Sequence, residues 1–572
     1  RRQWSFRVDL GVVARVYPMP DFAAARWLDE PYKGLGAPRE APREVQRVLA
    51  EIDAAADATL TVAGGGSEFH FDLTGGPRIE VIEPASTTVH ARVVDAATGR
   101  PTAARVAFLS PAGRYIAPYG HAEDINIGWM QNTGADVKIG GASFAIVDSS
   151  FQIDLPAGDV YVEISKGFEY APVRRKLTIA PGQRDLRLDI SRAFDTQPEG
   201  WHTADTHVHI GSPDLLVLEG AAEGVHLVNL LAAQWGRHFT SMYGRPGRFA
   251  GSTKETTVWV GSENRHHFLG HIGLLGLDDW VLPLSEGGPP VAYFGQPTRH
   301  TLAEWADACR AQKGLTVGMH FPIPNGETAA DVVLGKLDAA EVRFDQGFAT
   351  LGVTEYYRYL NGGCRLAAVG GTDKMFPTRA VGAVRTYARL ERGEEFSFDA
   401  WSRAVRAGRT FVTCGPLLLL SCDGTQPGGE IDIGGGREVE VLAEVRSVFP
   451  AAEVEIVFNG QVVARGAPPL REKLKLDGAG WIAARCASRD RLTFGMRNIG
   501  AHTSPVYVRQ RGGGAFSRDA AEYMLRLVDG SKMWLETLAT AAPDDRARMG
   551  AVFGEARRRL EESIRRNTSL HP

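Results

Sequence analysis

The segment from Trp201 to His209 contains two histidines whose spacing suits the binding of a metal ion. It reads Trp-His-Thr-Ala-Asp-Thr-His-Val-His, a run typical of a β-strand. Side chains two residues apart in a strand point to the same face, so His207 and His209 can converge on one ion. Imidazole is the commonest protein ligand of zinc and similar ions. Asp205 projects to that face too, where it could bind the ion or hold an imidazole N–H.

Further potential ligands follow where short runs of apolar, β-branched or small residues end. They are Glu263, His271, His320 and Asp373, and glycines stand close before each of them. A βα barrel builds its active site from side chains at the carboxyl ends of its strands. The repeated placement of His, Glu and Asp at such ends predicts a metal site rather than an isolated pair of surface histidines.

The order of these motifs resembles the PHP (polymerase and histidinol phosphatase) superfamily, and most closely its CehA/McbA-like branch, named for carbaryl hydrolases. The resemblance spans roughly residues 199–425 and includes the stretch Arg406–Pro416 with Asp423-Gly424. It implies that the metal ligands are His207, His209, Glu263, His271, His320 and Asp373. It also implies that Glu263 lies between metal positions and that Asp373 is both a ligand and a candidate proton acceptor.

Two features depart from the pattern of that superfamily. Many PHP proteins carry an Asp-His pair after the second strand, whereas this chain has Leu230–Trp235 there. PHP sites also often end in Asp-x-His, whereas this one ends in Asp373-Lys374-Met375, and a thioether is a poor ligand for hard or borderline ions. We therefore expect one or two divalent ions rather than three. Zn²⁺ or Mn²⁺ is the first choice, and Fe²⁺ is compatible with the same ligands.

This ligand set favours hydrolysis. A bound divalent ion lowers the pKa of a coordinated water toward ~7 and polarises the oxygen of an ester, carbamate, amide or phosphoester. Asp373 is the first candidate to accept the proton, and Glu263 is the second. Lys374 and Arg379 follow in a proline-containing loop, where they could stabilise negative charge or simply reach solvent.

Several polar residues near the motifs are weaker candidates. We expect Gln234 to form a hydrogen bond in the pocket rather than to bind the ion. Of His202, His266 and His267, one or two are expected to line the pocket or orient the ligands, and the others to be ordinary polar positions. We place His267 with Gln234 among the residues that orient ligands or contact substrate.

With 572 residues, the chain exceeds what one hydrophobic core usually supports. We predict a multidomain α/β plus β protein in which a PHP-like distorted βα barrel is flanked by β-sandwich domains. The predicted divisions are a mixed or β region at 1–84, a transthyretin-like or carboxypeptidase-regulatory-like sandwich at 85–198, the barrel at 199–416, a second sandwich at 417–512 and a helical segment at 513–572.

Three local expectations accompany this division. The apolar spacing of residues 42–52 predicts a helix with Pro42 near its start. Asn459-Gly460 predicts a hairpin turn. Within the first sandwich, His121, Trp129 and Tyr170 could project into the neighbouring active site.

Composition restricts the partners that we expect. The net charge is −4, and no basic face stands out, so nucleic acid is not expected as a partner. No apolar run reaches ~18 residues, so no membrane partner is expected either. The five cysteines are odd in number and form no C-x-x-C pair, which gives no disulfide framework or cysteine zinc site. The expected partner is a small-molecule or carbohydrate substrate, and the oligomeric state stays open.

The compartment also stays open. The chain begins at Arg1 without a recognisable signal peptide. A periplasmic or secreted location is favoured if such a segment has been removed, and a cytoplasmic one otherwise.

Three functions are compatible with these observations. A metal-dependent hydrolase is the leading interpretation. A carbohydrate-active metal-dependent lyase or hydrolase is the alternative that the flanking β-regions indicate. A non-catalytic binding protein on a PHP scaffold is the alternative that the two departures from the superfamily pattern indicate.

Overall fold

The computed structural model describes residues 4–19, 24–29, 47–64, 66–74, 86–235, 239–288, 297–344, 348, 350–449, 453–488, 493–494, 497–511 and 513–568. Within these ranges the protein is of mixed α/β class, with more strand than helix. None of the helices among these residues is long and apolar enough to cross a membrane.

The N-terminal region consists mainly of antiparallel strands. Its elements are β1 (Trp4–Val8), β2 (Gly11–Met19), α1 (Ala24–Asp29), β3 (Arg47–Ala54), β4 (Thr59–Gly64) and β5 (Ser67–Asp72). β4 pairs with both β1 and β5, and β2 pairs with β3. The helix predicted over 42–52 is therefore wrong from residue 47 onward, and residues 42–46 lie outside the described residues. Val48 and Ile52 are β-branched, and β2 offers a pairing partner, which favours the strand.

The next region contains two sheets. Its strands are β6 (Ser86–Asp95), β7 (Ala104–Leu109), β8 (Tyr115–Ile116), β9 (Asp136–Ile139), β10 (Ala142–Val147), β11 (Ser150–Pro156), β12 (Gly158–Ser165), β13 (Val173–Ile179) and β14 (Asp185–Ile190). One sheet has the order β13-β12-β7-β10-β9, with β8 beside β7, and the other has the order β11-β6-β14. Val89 and Leu188 of the smaller sheet share a buried apolar cluster with Val106 and Val160 of the larger one, so this cluster joins the two sheets.

The central region alternates strands and helices after a 3₁₀ turn at Gln197–Glu199. Its strands are β15 (Trp201–Val208), β16 (Leu227–Trp235), β17 (Phe239–Ser241), β18 (Gly247–Arg248), β19 (Thr257–His266), β20 (Gly270–Leu275), β21 (Ser285–Glu286), β22 (Leu315–Gly318), β23 (Ala339–Glu341), β24 (Ala367–Val369), β25 (Arg385–Arg389) and β26 (Thr410–Thr413). Its helices are α2 (Pro213–Glu223), α3 (Leu302–Ala311), α4 (Thr328–Val333), α5 (Leu351–Asn361) and α6 (Phe398–Arg406).

The pairing of these strands is mixed. β15, β16 and β19 run parallel, and so do β22, β23 and β24. Antiparallel β20 joins the two parallel groups, because the chain turns back directly after β19. The described pairing is that of a mixed sheet, which extends through β25, β26 and β36 into the C-terminal region, rather than of a barrel as such.

The C-terminal region consists of strands followed by two long helices. Its strands are β27 (Leu417–Cys422), β28 (Glu430–Asp432), β29 (Arg437–Arg446), β30 (Val454–Phe458), β31 (Gln461–Gly466), β32 (Leu470–Leu476), β33 (Gly480–Ala487), β34 (Thr493–Phe494), β35 (Arg497–Asn498), β36 (Gly500–Thr503) and β37 (Val506–Arg509). Asn459 and Gly460 have φ of 48° and 87° and connect antiparallel β30 and β31, which confirms the predicted hairpin turn. The helices α7 (Arg518–Thr537) and α8 (Pro543–Thr568) pack against each other and against α4.

Candidate metal centre

The six residues proposed as ligands lie on or shortly after five of the central strands, and their side chains meet. His207 lies in β15 and His209 follows it, Glu263 lies in β19, His271 in β20, His320 follows β22, and Asp373 follows β24. Although they are up to 166 positions apart in sequence (373 − 207), their donor atoms fall into two groups that lie side by side.

The first group consists of His207, His209 and Asp373, all buried. The two Nε2 atoms lie 3.0 Å apart. Asp373 Oδ1 lies 3.5 Å from His207 Nε2 and 3.8 Å from His209 Nε2. The convergence of the two rings follows from their i, i+2 spacing at the end of β15.

The second group consists of Glu263, His271 and His320. Glu263 Oε1 lies 3.1 Å from His271 Nδ1 and 3.2 Å from His320 Nε2, and these two nitrogens are 3.1 Å apart. The other oxygen of the same carboxylate, Oε2, lies 3.1 Å from His209 Nε2. Glu263 therefore faces the other members of the second group with Oε1 and the first group with Oε2.

The hydrogen bonds around the rings leave the inward nitrogens available as donors to a cation. His209 Nδ1 lies 3.0 Å from the carbonyl oxygen of Leu231, and His320 Nδ1 lies 2.5 Å from that of Ile323. A carbonyl can only accept, so each Nδ1 carries the proton and each Nε2 presents a lone pair. Asp373 Oδ1 is buried without a hydrogen-bond partner among the described residues. These side chains therefore fit a divalent cation, whose identity the donor set does not select.

The backbone at two of these ligands adopts an unusual conformation. His320 has φ of 31° and Asp373 has φ of 50°, a region that non-glycine residues rarely occupy and that is often found at functional sites. At Gly371, a Cβ would lie 2.6 Å from the backbone nitrogen of His207. Only glycine therefore lets the loop that carries Asp373 approach β15 so closely.

The carboxylates dominate the electrostatics of the centre. Burial alone would lower the pKa of His207, but Asp373, Glu341 and Glu263 outweigh it and raise that pKa to about 10. Burial acts in the opposite direction on Glu263 and Asp373, yet the surrounding histidines and arginines hold the pKa of both well below the usual range. Burial lowers the pKa of His209, and it lowers that of His271 to about 4, so these two imidazoles favour the neutral form. Ionised acids beside neutral imidazoles make a site that a cation stabilises.

Three residues that the sequence reasoning missed support the ligands. Glu341 Oε2 lies 3.2 Å from His207 Nδ1 and accepts the backbone N–H of His320 at 2.5 Å. Arg343 Nη2 donates to Asp373 Oδ2 at 2.7 Å, and Arg265 Nε donates to Glu263 Oε2 at 2.8 Å. Glu341 ends β23, so its place at a strand end could have revealed it. The two arginines offered no comparable signal.

Asp205 has a different role from the one expected. Its carboxylate accepts backbone N–H groups from His207 at 3.0 Å, Thr372 at 2.9 Å and Gly382 at 2.7 Å, rather than an imidazole N–H. Burial raises its pKa, although these hydrogen bonds act against the shift. Asp205 thus ties the loop of Asp373 to β15.

Lys374 and Arg379, for which negative charge and solvent were the two alternatives, both form hydrogen bonds within the protein. Lys374 Nζ donates to Glu219 Oε1 at 2.7 Å and to the carbonyl of Arg379 at 2.8 Å. Arg379 Nη1 donates to the backbone carbonyl of Asp373 at 2.7 Å. Both side chains brace the loop that holds Asp373, because the loop offers carbonyl acceptors and α2 offers a buried carboxylate.

The remaining polar candidates from the sequence differ in their burial and in their contacts. Gln234 lies at the end of β16, half-buried, and His267 is exposed with its backbone N–H bonded to Glu286. His266 is buried, and its Nε2 lies 3.1 Å from Thr298 Oγ1. His202 stacks on Phe396.

Of the three residues of the preceding β-region, one reaches the centre's surroundings. His121 pairs with Asp136 at 2.8 Å, and the hydroxyl of Tyr170 donates to Asp95, both within that region. Trp129 instead contacts Trp235 of the central region, with ring centroids 5.7 Å apart.

No protein-family model matches this sequence, and no curated protein matches it. Two solved structures match in part: a lesion-specific endonuclease Q from Pyrococcus furiosus, and an endonuclease Q in complex with a 27-mer duplex that carries an abasic lesion. They share 11% and 12% identity with this chain, at TM-scores of 0.24 and 0.25. Each alignment covers 36% of this chain and 56% of the matched one, so the chain spans little more than half of their length.

This likeness contradicts the expectation that nucleic acid is not a partner, since both matched proteins are endonucleases and one is bound to a duplex substrate. That expectation was based on overall charge, which averages over the surface, whereas contact with phosphates needs only a local group of cations. The exclusion is therefore withdrawn. At these TM-scores the likeness carries no further argument about the substrate.

Proposed function

We propose that this protein is a metal-dependent hydrolase of the PHP superfamily, of the CehA/McbA-like branch, with a catalytic region at 199–416. The observation that carries the proposal is the position of Glu263, which reaches two neighbouring groups of donor atoms with its two oxygens. A carboxylate shared in this way is a common bridge between two divalent ions.

In this proposal, His207, His209 and Asp373 would hold one ion, and Glu263, His271 and His320 would hold a second. Zn²⁺ or Mn²⁺ is favoured, and Fe²⁺ fits the same ligands. When bound, such an ion lowers the pKa of a coordinated water and polarises the oxygen of the bond to be cleaved. The substrate carries an ester, carbamate, amide or phosphoester bond.

The chain's own residues then orient and receive protons. Arg343 holds Asp373 by its Oδ2, which leaves Oδ1 directed at the two histidines. We propose Asp373 as the proton acceptor, with Glu263 second, because both are carboxylates that their surroundings hold in the ionised form. Glu341 keeps His207 in one orientation, as carboxylates commonly do for ligating histidines.

The first test is the metal content of protein purified without added metal, measured by elemental analysis. We expect one or two equivalents of a transition metal per chain, and a loss of at least one in the His207→Ala/His209→Ala variant. His267→Ala is the matched control, because this histidine is exposed close to Glu263 in sequence, and its metal content should not change. A wild-type chain that holds no metal and takes up neither Zn²⁺ nor Mn²⁺ would refute the proposal.

The second test addresses turnover. Asp373→Asn and His320→Ala should each abolish the hydrolysis of any substrate found in a panel of esters, carbamates, amides, phosphoesters and glycans. If both variants retain wild-type turnover, the assigned centre is not catalytic. A metal-loaded wild type without activity on the whole panel would favour a binding protein on the same scaffold.

A further inference from the structure

Two ligands of the second donor group, Glu263 and His271, lie on the two strands of one hairpin. Glu263 belongs to β19 and His271 to the antiparallel strand β20. The strands meet at the hairpin tip, residues 266–270, where His266 pairs with Gly270. His271 follows this tip directly, so a movement of the tip moves the His271 ring away from Glu263.

The helix α7 packs on the hairpin tip through one aromatic side chain. The indole of Trp534 stacks on the ring of Phe268, with centroids 4.2 Å apart and an angle of 15° between the planes. It also meets the ring of His266 edge to face at 5.8 Å. His266 Nδ1 in turn accepts the backbone N–H groups of Phe268 and Leu269, at 3.2 and 3.0 Å. Trp534 therefore contacts both rings that shape the turn.

The same helix contacts the segment that carries the third ligand of this group. His320 begins a loop that runs to Glu327 at the start of α4. The backbone N–H groups of Gly326 and Glu327 donate to the carbonyl of Leu269 in the hairpin tip, at 3.1 and 2.7 Å. The buried hydroxyl of Ser531 in α7 donates to the carbonyl of Gly326. The helix α7 thus joins the two segments that supply the second donor group.

The end of α7 is attached to the same side of the centre. The backbone N–H of Thr298 donates to the carbonyl of Thr540, just beyond α7, at 2.7 Å, and Thr298 Oγ1 lies 3.1 Å from His266 Nε2. Arg548 of α8 donates to the carbonyl of Arg299 at 2.7 Å. These hydrogen bonds fix both helices relative to the hairpin tip.

The first donor group is held by other elements. His207 and His209 meet because of their spacing at the end of β15. The loop of Asp373 is tied to β15 by Asp205 and to α2 by Lys374. The two groups therefore have separate supports, and a change in α7 should affect the second group more than the first.

We propose that α7 positions the second donor group, with Trp534 and Ser531 as positioning residues that hold the hairpin tip and the loop of His320 at the separation that a metal ion needs. This inference rests on the proposed hydrolase function. Both residues act through the ligands and not as ligands, and metal affinity falls when the groups that orient a ligand are removed.

The test is a stepwise titration of metal-free protein with Zn²⁺ or Mn²⁺ in competition with a chromophoric chelator, which resolves the affinities of the two ions. The variants are Trp534→Ala, Trp534→Phe and the milder Ser531→Ala. Leu535→Ala is the matched control, because Leu535 is a buried neighbour of Trp534 on α7 that lies beside Gly550 of α8. Loss of its side chain loosens the helical pair without removing a contact of Trp534 with the hairpin tip.

We expect Trp534→Ala to weaken one ion about tenfold and to leave the other within about twofold of wild type. The retained ion also shows that the variant is folded. Trp534→Phe should keep most of the affinity, because its ring can still stack on Phe268. In the His207→Ala/His209→Ala background, Trp534→Ala should weaken the remaining ion by the same factor, which assigns that ion to the second group. Leu535→Ala should lower the Tm and keep both affinities.

Two results would overturn this role of α7 and leave the hydrolase proposal standing. One is that Trp534→Ala and Ser531→Ala both bind metal with the affinities of wild type. The other is that Trp534→Ala weakens both ions equally, or no more than Leu535→Ala does, because a general loosening of the fold would then explain the loss. A wild-type protein that binds neither Zn²⁺ nor Mn²⁺ would instead refute the hydrolase proposal itself, and this inference with it.

Discussion

Glu341 connects two ligands that come from different strands: its Oε2 lies 3.2 Å from Nδ1 of His207 and accepts the backbone N–H of His320 at 2.5 Å. One buried carboxylate thus orients a ring of the first donor group and the backbone of the second. Burial would raise its pKa, but His207 and Arg343 outweigh that effect and lower the pKa to about 2, so Glu341 stays ionised.

Glu341→Gln should therefore weaken metal binding without removing a ligand. A neutral amide orients the imidazole less firmly and makes its nitrogen a weaker donor, and we expect an affinity loss of about 10–100-fold. Competition with a chromophoric chelator measures this loss. Glu286→Gln is the control, because Glu286 is a buried carboxylate that forms hydrogen bonds with His300, which is not one of the proposed ligands. An affinity within twofold of wild type would show that Glu341 does not position the ligands.

Metal removal should destabilise the protein. Without a cation, the ionised carboxylates of Glu263 and Asp373 lie in the same buried site with no metal ion to balance their charges. In addition, a ligand that binds only the folded state stabilises that state by mass action. At free metal about a hundred times the Kd, the gain is about 2.7 kcal/mol. Differential scanning fluorimetry with chelator and with added metal measures the change in Tm. A Tm shift that persists in His207→Ala/His209→Ala would place the stabilising ion elsewhere.

The buried ion pair between Arg105 of the β-region and Glu223 of α2 should contribute to the stability of the folded protein. Arg105 Nη1 donates to Glu223 Oε1 at 2.8 Å, and both side chains are buried. Removing one partner of a buried pair leaves an uncompensated charge, so Arg105→Ala should lower the free energy of unfolding by about 3–5 kcal/mol. Arg187→Ala removes one partner of an exposed pair with Asp189 and should cost less than about 1 kcal/mol. Equal effects of the two variants on thermal unfolding would contradict this prediction.

The buried carboxyls Glu327 and Asp331 make a contribution to stability that falls as pH rises. Burial raises the pKa of Glu327 to about 7, and burial together with Glu327 raises the pKa of Asp331 well above its ordinary value of 3.8. This pair therefore binds more protons in the folded state than in the unfolded state from about pH 4.5 to at least about pH 7. Its contribution to the free energy of unfolding decreases with pH across that window, whereas His226 and His266, whose pKa burial lowers to about 3, act in the opposite direction.

Thermal unfolding of chelator-treated protein from about pH 5 to about pH 8 tests this dependence. Asp331→Asn replaces the pair by one carboxyl and one neutral amide, so its Tm should rise relative to that of wild type as the pH increases. Asp279→Asn, at an exposed position, should keep the wild-type slope. If Asp331→Asn keeps that slope as well, the pair does not control the pH response.

Several features of the molecule are determined by local sequence. The i, i+2 spacing of His207 and His209 requires only a strand to bring both rings to one face, and both rings meet there. Asn459-Gly460 makes its hairpin because both residues accept positive φ. The ends of short apolar runs likewise predicted Glu263, His320 and Asp373, and a Gly-His pair predicted His271.

Other features are decided only by tertiary structure. The spacing of residues 47–52 is compatible with a helix, but β2 provides the strand partner that satisfies their backbone. Asp205 and Lys374 have side chains suited to a catalytic site, yet packing gives them backbone amides and Glu219 as partners. Glu341 reaches His207 and His320 through contacts between segments that are distant in sequence. Periodicity is a property of neighbouring residues, whereas the partner of a buried charge or ring is selected by the free energy of the whole packed chain.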